Sequence, residues 1–373
     1  DRASPAPTVG IEVEIWLVDP DTGALAQGAD ALLAAVDTGR GGHPKLKHEL
    51  FLSTVEAITG ICDTVADAGD DLRATINELN DAARERNLEL LVAGTHPFSR
   101  WQDQEVSPDE RYMEFVGRLG WPVQRLAICG THVHVGVGSG EAAVALTQAL
   151  CEQLPLFLAL SCSSPYWNGD DTALSSTRTK IFESLPTSGL PPVLHDWSDF
   201  ETFMHGLLRA GVISSIREVW WDIRPHPDFG TVELRMCDAL PTLEETLAVA
   251  AMAQCLVVRY ERMLAAGEPL PAPRDWLTAE NKWLACRHGL RAELLVSEEG
   301  DRKSASELVA ETVGQLAPVA LELGCADELA FATQMAQRGT SADRQRAVVA
   351  NGGTPRDVVD LLVGEFCGAE GYL

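Results

Sequence analysis

The stretch Val9-Gly-Ile-Glu-Val-Glu-Ile-Trp-Leu-Val18 decides how the rest of the chain is read. Side chains alternate across a strand, so residues two apart share a face. The odd positions Val9, Ile11, Val13, Ile15 and Leu17 are all apolar, and the even face presents Glu12 and Glu14. The same pattern recurs twice. In residues 128–137 the odd positions Cys129, Val133, Val135 and Val137 read as buried, and His132 and His134 share the other face between Gly130 and Gly136. In residues 231–237 the phase is reversed: Val232, Leu234 and Met236 are apolar, with Glu233 and Arg235 opposite. Each run reads as a strand that buries one side and presents paired ionisable groups on the other. A solvated face is common on an antiparallel sheet. Solvated faces, however, mix Lys, Thr, Ser and Gln, whereas these three offer Glu/Glu, His/His and Glu/Arg with little else polar.

Such a set suits hard-cation chemistry. Mg²⁺ or Mn²⁺ takes carboxylate oxygens, tolerates one imidazole and bridges protein carboxylates to phosphates. Structural zinc prefers four N/S ligands and is disfavoured. Glu49 and Glu56, in His48-Glu-Leu-Phe-Leu-Ser-Thr-Val-Glu56, are further acids. Their spacing aligns them on a helix and opposes them on one strand, so spacing alone does not bring both to the site. Between Arg125 and Arg209 the only Lys/Arg residues are Arg178 and Lys180. They fall in residues 161–195, a long Ser-, Pro-, Gly-, Thr- and Asp-rich stretch that reads as a functional or mobile loop. An arginine there suits an anionic substrate. Arg235, on the acid-bearing face, suits a transferring phosphoryl group. Arg224 and Arg344/Arg346 are weaker candidates. No P-loop or Rossmann glycine pattern occurs, and no G-x-S-x-G elbow marks a nucleophile. Cys129 and Cys237 read as structural thiols; His96, in Gly94-Thr-His-Pro-Phe98, has the most suggestive context among the remaining histidines.

Composition bounds the function classes. The chain has 373 residues, 55 Asp+Glu against 29 Lys+Arg and a formal charge of −26, which repels nucleic-acid phosphates and anionic membranes. With 46% hydrophobic and 23% charged residues it reads as a soluble globular protein. The longest apolar stretch, residues 247–258, is too short for a bilayer, and no signal-peptide pattern opens the chain. The nine cysteines form no C-x-x-C pair and fit reduced thiols in a cytoplasm. A single catalytic domain over 1–373 is expected: a loose leader at 1–8, a sheet-bearing core at 9–265 and a mainly helical part at 266–373 beyond Pro269, Pro271 and Pro273. Residues 63–88 carry helical apolar spacing. Thr242-Leu-Glu-Glu245 and Ser304-Ala-Ser-Glu307 match capping boxes.

Taken together, Gly10-Ile-Glu-Val-Glu14, Gly94-Thr-His-Pro-Phe98, Cys129-Gly-Thr-His-Val-His-Val-Gly136, Ser163-Ser-Pro-Tyr-Trp167, Trp220-Trp-Asp-Ile-Arg-Pro-His226, Thr231-Val-Glu-Leu-Arg-Met-Cys-Asp238 and Asn281-Lys-Trp283 resemble the type 2 glutamate–cysteine ligase family. These carboxylate–amine ligases are relatives of glutamine synthetase. The resemblance implies an α+β fold with a curved antiparallel β-sheet forming a funnel, backed by helices. By similarity, Glu12 and Glu14 serve different Mg²⁺ ions, two or three in all. Glu49 and Glu56 complete one shell, and His132 and Glu233 join Glu12 at the other. Arg235 contacts the γ-phosphoryl group and, with His134 near the carboxylate or acyl phosphate, is the implied catalytic pair. Arg178 and Arg224 are the implied substrate contacts, and Arg344 a nucleotide contact. Many relatives have Glu where Val13 stands, on the core-facing side. The implied activity is ATP-dependent amide formation through an acyl phosphate, giving γ-glutamylcysteine from glutamate and cysteine. Another amine, a dinuclear metal hydrolase and a non-enzymatic metabolite-binding protein remain alternatives. Partners would be small molecules, with neither nucleic acid nor membrane; a homo-oligomer stays open.

Overall fold

The computed structural model describes residues 7–39 and 42–373. Its strands are β1 (Val9–Val18), β2 (Leu46–His48), β3 (Thr54–Ile58), β4 (Glu89–Leu91), β5 (Thr131–Gly136), the small hairpin β6 (Tyr166–Trp167) and β7 (Asp170–Asp171), then β8 (Ile223–His226), β9 (Thr231–Leu234) and a second small hairpin, β10 (Glu293–Leu295) and β11 (Arg302–Ser304). A seven-stranded sheet runs β2-β3-β1-β5-β9-β8, with β4 also pairing β1. Every pairing in it is antiparallel.

Register turns the alternation into a site. Glu14 stands opposite Glu56, Glu12 opposite His132, His134 opposite Glu233, and Glu233 opposite Arg224. The ionisable residues of five strands therefore share one face. A slip of one residue in any pair would send its charges into the core. The other face is dry: Val9, Ile11, Val13, Ile15, Leu17, Val133, Val135, Val232 and Leu234 are fully buried. It packs against helices Val65–Arg84 and Leu243–Ala265. The latter is apolar nearly all round and buried from Leu243 to Val258 with few exceptions, as a central core helix should be. No single helix among the described residues is long and apolar enough to cross a membrane.

Several expectations need correcting. Residues 1–6 of the expected leader lie outside the described residues. Pro7 and Thr8 are tied down, because Gln254 Nε2 donates to Pro7 O at 2.6 Å and Thr8 is buried. The third strand ends at Leu234, so Cys237 lies beyond it, buried, though its carbonyl still accepts from the Thr131 N–H at 3.3 Å. Thr242 caps its helix through Glu245 N, but Glu245 does not reach back; its carboxylate pairs with Arg338 and Arg344. Ser304 and Glu307 form the full reciprocal box.

The largest departure concerns residues 161–195. Small polar residues suggested a loop, yet Ser163, Ser164, Ser175 and Ser176 are buried. Three of them converge on Asp238, which accepts from Ser163 N (3.0 Å), Ser164 Oγ (2.6 Å) and Ser176 Oγ (2.8 Å). Ser175 N and Ser176 N both donate to Cys286 O in helix Asp275–His288. Ser176 then caps a short helix, Thr177–Phe182. Buried hydroxyls are tolerated here because each finds a partner. The C-terminal helices share one continuous buried cluster with the sheet, including Cys286, Val309, Leu316 and Phe366.

Replacing Asp238 by Ala should orphan three buried donors and, at about 1–3 kcal/mol for each unsatisfied group, destabilise the protein by about 3 kcal/mol or more. Urea unfolding measures this, and a change below about 1 kcal/mol would contradict the hub role.

Candidate active site

The charged face of the sheet forms the floor of a cavity of about 620 Å³. Glu12, Glu14, Glu49, Glu56, His132, His134, Glu233, Arg178, Arg224 and Arg235 all line it.

Two electrostatically different halves emerge. At the β5–β9–β8 end, Glu233 is only 1% exposed. Arg224 grips it with two nitrogens, Nε to Oε2 at 2.7 Å and Nη2 to Oε1 at 3.3 Å, and Arg235 donates to Oε1. Burial disfavours the charge, but Arg235 and Arg224 hold the Glu233 carboxyl well below the usual range. Glu12 accepts from, or faces, two rings: Oε2 lies 3.0 Å from His132 Nδ1 and Oε1 3.3 Å from His134 Nε2. Burial again opposes its charge, and His134 and His132 override that and keep Glu12 ionised. His134 Nδ1 meets Thr231 Oγ1 at 3.1 Å. Burial resists its protonation, while Glu233 and Glu12 push its pKa upward.

The other half has acids without cations. Glu14 Oε2 accepts the Gly130 N–H at 2.5 Å. No Lys or Arg among the described residues forms an ion pair with Glu14, Glu49 or Glu56. Lys47, opposite Glu56 in the sheet, donates instead to His43 O. Burial, reinforced by Glu14 and Glu12, pushes Glu49 up to about 8. Burial plus Glu12, Glu49 and Glu14 drives Glu56 well above its ordinary value. Crowded carboxylates that would rather be protonated than ionised are what a divalent cation relieves. Ligand atoms of Glu14, Glu56 and His132 lie within 4.8 Å of one another, as do those of Glu12, His132 and Glu233. The donor chemistry fits Mg²⁺ or Mn²⁺ in both groups. Glu49 lines the same cavity but belongs to neither compact group.

Arg178 is not on a mobile loop. It sits on the helix Thr177–Phe182, 3% exposed, with Nη1 and Nη2 donating to Met236 O (3.4 Å) and Arg235 O (3.3 Å). Among the described residues its Nε has no hydrogen-bond partner. Gly130 makes room for it, since a Cβ there would fall 2.2 Å from Nη2. Arg344, expected at the nucleotide, does not line the cavity: it bridges Glu365 (2.6 Å) and Glu245 (2.9 Å) and so joins three helices. Arg346 is likewise engaged with Asp171. His96 is buried with Nε2 on Gly23 O at 2.9 Å, and burial pushes it down to about 3, a structural histidine. The Cys129 thiol is buried and pushed well up by burial. Missed from the sequence was His226, whose ring stacks on Phe229 with centroids 4.2 Å apart and planes at 6°. His134 meets both edge-on. Arg224 and His226 are two apart on β8, so alternation contained that signal.

Comparison with known proteins agrees with this architecture. The family model for glutamate–cysteine ligase family 2 matches residues 8–360. A protein of Frankia alni provisionally named glutamate–cysteine ligase 2-1 is 48% identical over 368 residues, covering 98% of this chain and 96% of its own. One of Thermobifida fusca provisionally named glutamate–cysteine ligase 2 is 46% identical over 361 residues, 96% of this chain and 90% of its own. The solved structure of a Francisella tularensis glutamate–cysteine ligase in complex with AMP shares the fold, with a TM-score of 0.72 at 13% identity over 99% of this chain and 91% of that one. The chain belongs to glutamate–cysteine ligase family 2, a family of ligases that form carbon–nitrogen bonds.

Saturating Mg²⁺ or Mn²⁺ should raise the melting temperature of the ion-free protein, with about 2.7 kcal/mol gained at a hundredfold excess over the dissociation constant. Glu56→Gln replaces a carboxyl that, without an ion, can stay buried beside Glu12, Glu49 and Glu14 only by taking up a proton. It should melt higher than wild type without ions and lose most of the ion-induced rise, whereas a lower ion-free melting point would contradict the crowding.

Proposed function

We propose that this ligase is an ATP-dependent carboxylate–amine ligase that activates the γ-carboxyl of glutamate as an acyl phosphate and passes it to an amine. The family name supplies cysteine as the reference amine. The observation that carries this reading is the convergence, on one sheet face and in one cavity, of two acid groups suited to divalent ions and two arginines held by Glu233. A hydrolase needs only the acids and a water, so the buried arginine pair favours phosphoryl chemistry.

In the proposed reaction a carboxylate oxygen attacks the γ-phosphorus of ATP, the bond to the β-phosphate oxygen breaks and ADP leaves. The free amine nitrogen then attacks the activated carbonyl carbon, phosphate departs as the amide forms, and the proton lost from nitrogen passes to the leaving phosphate or a cavity carboxylate. When bound, the divalent ions supply charge neutralisation to the phosphates. Glu12, His132 and Glu233 would hold one, and Glu14 and Glu56 with Glu49 nearby the other. Among the described residues Arg235 forms an ion pair with Glu233 alone and has an unpartnered buried Nε. It is suited to shift toward the transferring phosphoryl group while Arg224 keeps its bidentate hold on Glu233. His134 sits between Glu12 and Glu233 as a donor toward the reacting oxygens. The His226–Phe229 stack offers a flat aromatic shelf at that same end, suited to a base. Arg178, beside Gly130 and Glu14, is suited to hold the substrate carboxylate. The chain's contribution is placement and electrostatics, which is what phosphoryl transfer asks of a protein.

Two substitutions test the roles. Glu12→Gln should lower ADP release with glutamate and an amine by about 100-fold or more while leaving circular dichroism unchanged; retained turnover would remove the ion-holding role. Arg178→Ala should raise KM for the carboxylate substrate by roughly 10–100-fold, the loss of a charge-assisted contact, with KM for ATP little changed. A change confined to ATP would reassign that arginine.

A further inference from the structure

We infer that Lys282 is a positioning residue that fixes Arg178 relative to Arg235, so that the two arginines meet the substrate carboxylate and the phosphoryl group as one unit. The inference rests on the carboxylate–amine ligase reading and deepens it by naming what couples the two substrate positions.

Lys282 lies on helix Asp275–His288, is 4% exposed and does not line the cavity. Its Nζ is shared by two acids from different segments, Asp222 Oδ2 at 2.6 Å and Glu183 Oε1 at 2.7 Å. Burial opposes its charge, but Asp222 and Glu183 raise its pKa above the ordinary lysine value. Each acid leads to one of the arginines. Glu183 closes the C-terminal end of helix Thr177–Phe182, which carries Arg178. Asp222 immediately precedes β8, and its carbonyl accepts the Arg235 N–H at 2.7 Å. Arg178 Nη2 in turn donates to Arg235 O at 3.3 Å. The contacts close a ring. It runs from Lys282 to Asp222, on to Arg235 and Arg178, and through the short helix to Glu183 and back.

The same C-terminal helix braces both ends of the short one. Cys286, four residues from Lys282 and so on the same helix face, accepts at its carbonyl from Ser175 N and Ser176 N, at the start of helix Thr177–Phe182. Lys180 adds an outer clasp: its Nζ pairs with Glu183 Oε2 at 2.7 Å and lies 5.3 Å from the Trp283 ring centroid. Lys282 and Trp283 of the motif Asn281-Lys-Trp283 thus serve one brace. A helix of six residues has little stability of its own, so the place of Arg178 depends on how its ends are held. The guanidinium's own hydrogen bonds, at 3.4 and 3.3 Å, are longer than the usual range and restrain it weakly. Misplacement of a substrate-orienting group by about 1 Å is enough to lose much of its effect.

The test is steady-state kinetics of the full chain with Mg²⁺, ATP, L-glutamate and whichever amino acid gives the fastest ADP release as amine. Glu183→Ala frees only the Arg178 arm and leaves Lys282 paired with Asp222. It should raise KM for glutamate by about tenfold, with kcat and KM for ATP within about twofold of wild type. In an Arg178→Ala background the same substitution should raise that KM no further, because residues that act through one another are not additive. Lys282→Met frees both arms, so it should raise the same KM at least as far and also lower kcat. That variant leaves Asp222 buried and unpaired; if it does not fold, Glu183→Ala and its combination with Arg178→Ala decide. An unchanged KM for glutamate in Glu183→Ala, equal rises for glutamate and ATP, or a full further rise in the Arg178→Ala background overturns the inference and leaves the ligase reading intact. Wild-type protein that releases no ADP with glutamate and any amine removes the ligase reading and this inference with it.

Discussion

Four carboxylates, Glu12, Glu14, Glu49 and Glu56, are held in one cavity by a sheet that gives them no freedom to part. Repulsion among them is resolved in two ways. At Glu12 and Glu233 the protein supplies its own partners, positive charge from Arg224 and Arg235 and the rings of His134 and His132. Among the described residues Glu14, Glu49 and Glu56 form no ion pair with Lys or Arg, and burial with mutual repulsion leaves Glu49 and Glu56 well above their ordinary range. The second half of the site is thus suited to a cation from solution, whose charge would offset the crowded acids.

The rest of the fold exists to keep this arrangement rigid. Apolar residues on the reverse of β1, β5 and β9 lock the register against the core helices, so the acids cannot slip apart. Gly130 serves twice: its N–H holds Glu14, and its missing side chain admits the Arg178 guanidinium. Asp238 fastens the polar segment that carries Arg178 onto the end of β9. Folding stability and site geometry are therefore coupled through a handful of buried polar contacts, where partners must be complete or the penalty is large.

Period-two alternation made the sheet and the shared face of Glu12, Glu14, His132, His134, Glu233 and Arg235 legible, because the pattern is local. Contacts that join distant segments were not. Composition alone made residues 161–195 resemble a loop, since serine and threonine look solvated until a buried carboxylate is found for them. Arg344 looked like a free cation in an acidic chain, but Glu245 and Glu365 are brought to it only by helix packing. The spacing of Glu49 and Glu56 left their meeting undecided, and the turn at residues 50–53 between β2 and β3 brings both to the cavity. His226 and Phe229 escaped notice because a hairpin, rather than a motif, stacks them.

The most direct test is a crystal structure with Mn²⁺ and a non-hydrolysable ATP analogue, read by anomalous scattering at the manganese edge. The account predicts one peak among Glu12, His132 and Glu233 and a second between Glu14 and Glu56, with the triphosphate alongside. Manganese bound elsewhere, or a nucleotide seated away from this cavity, would contradict it.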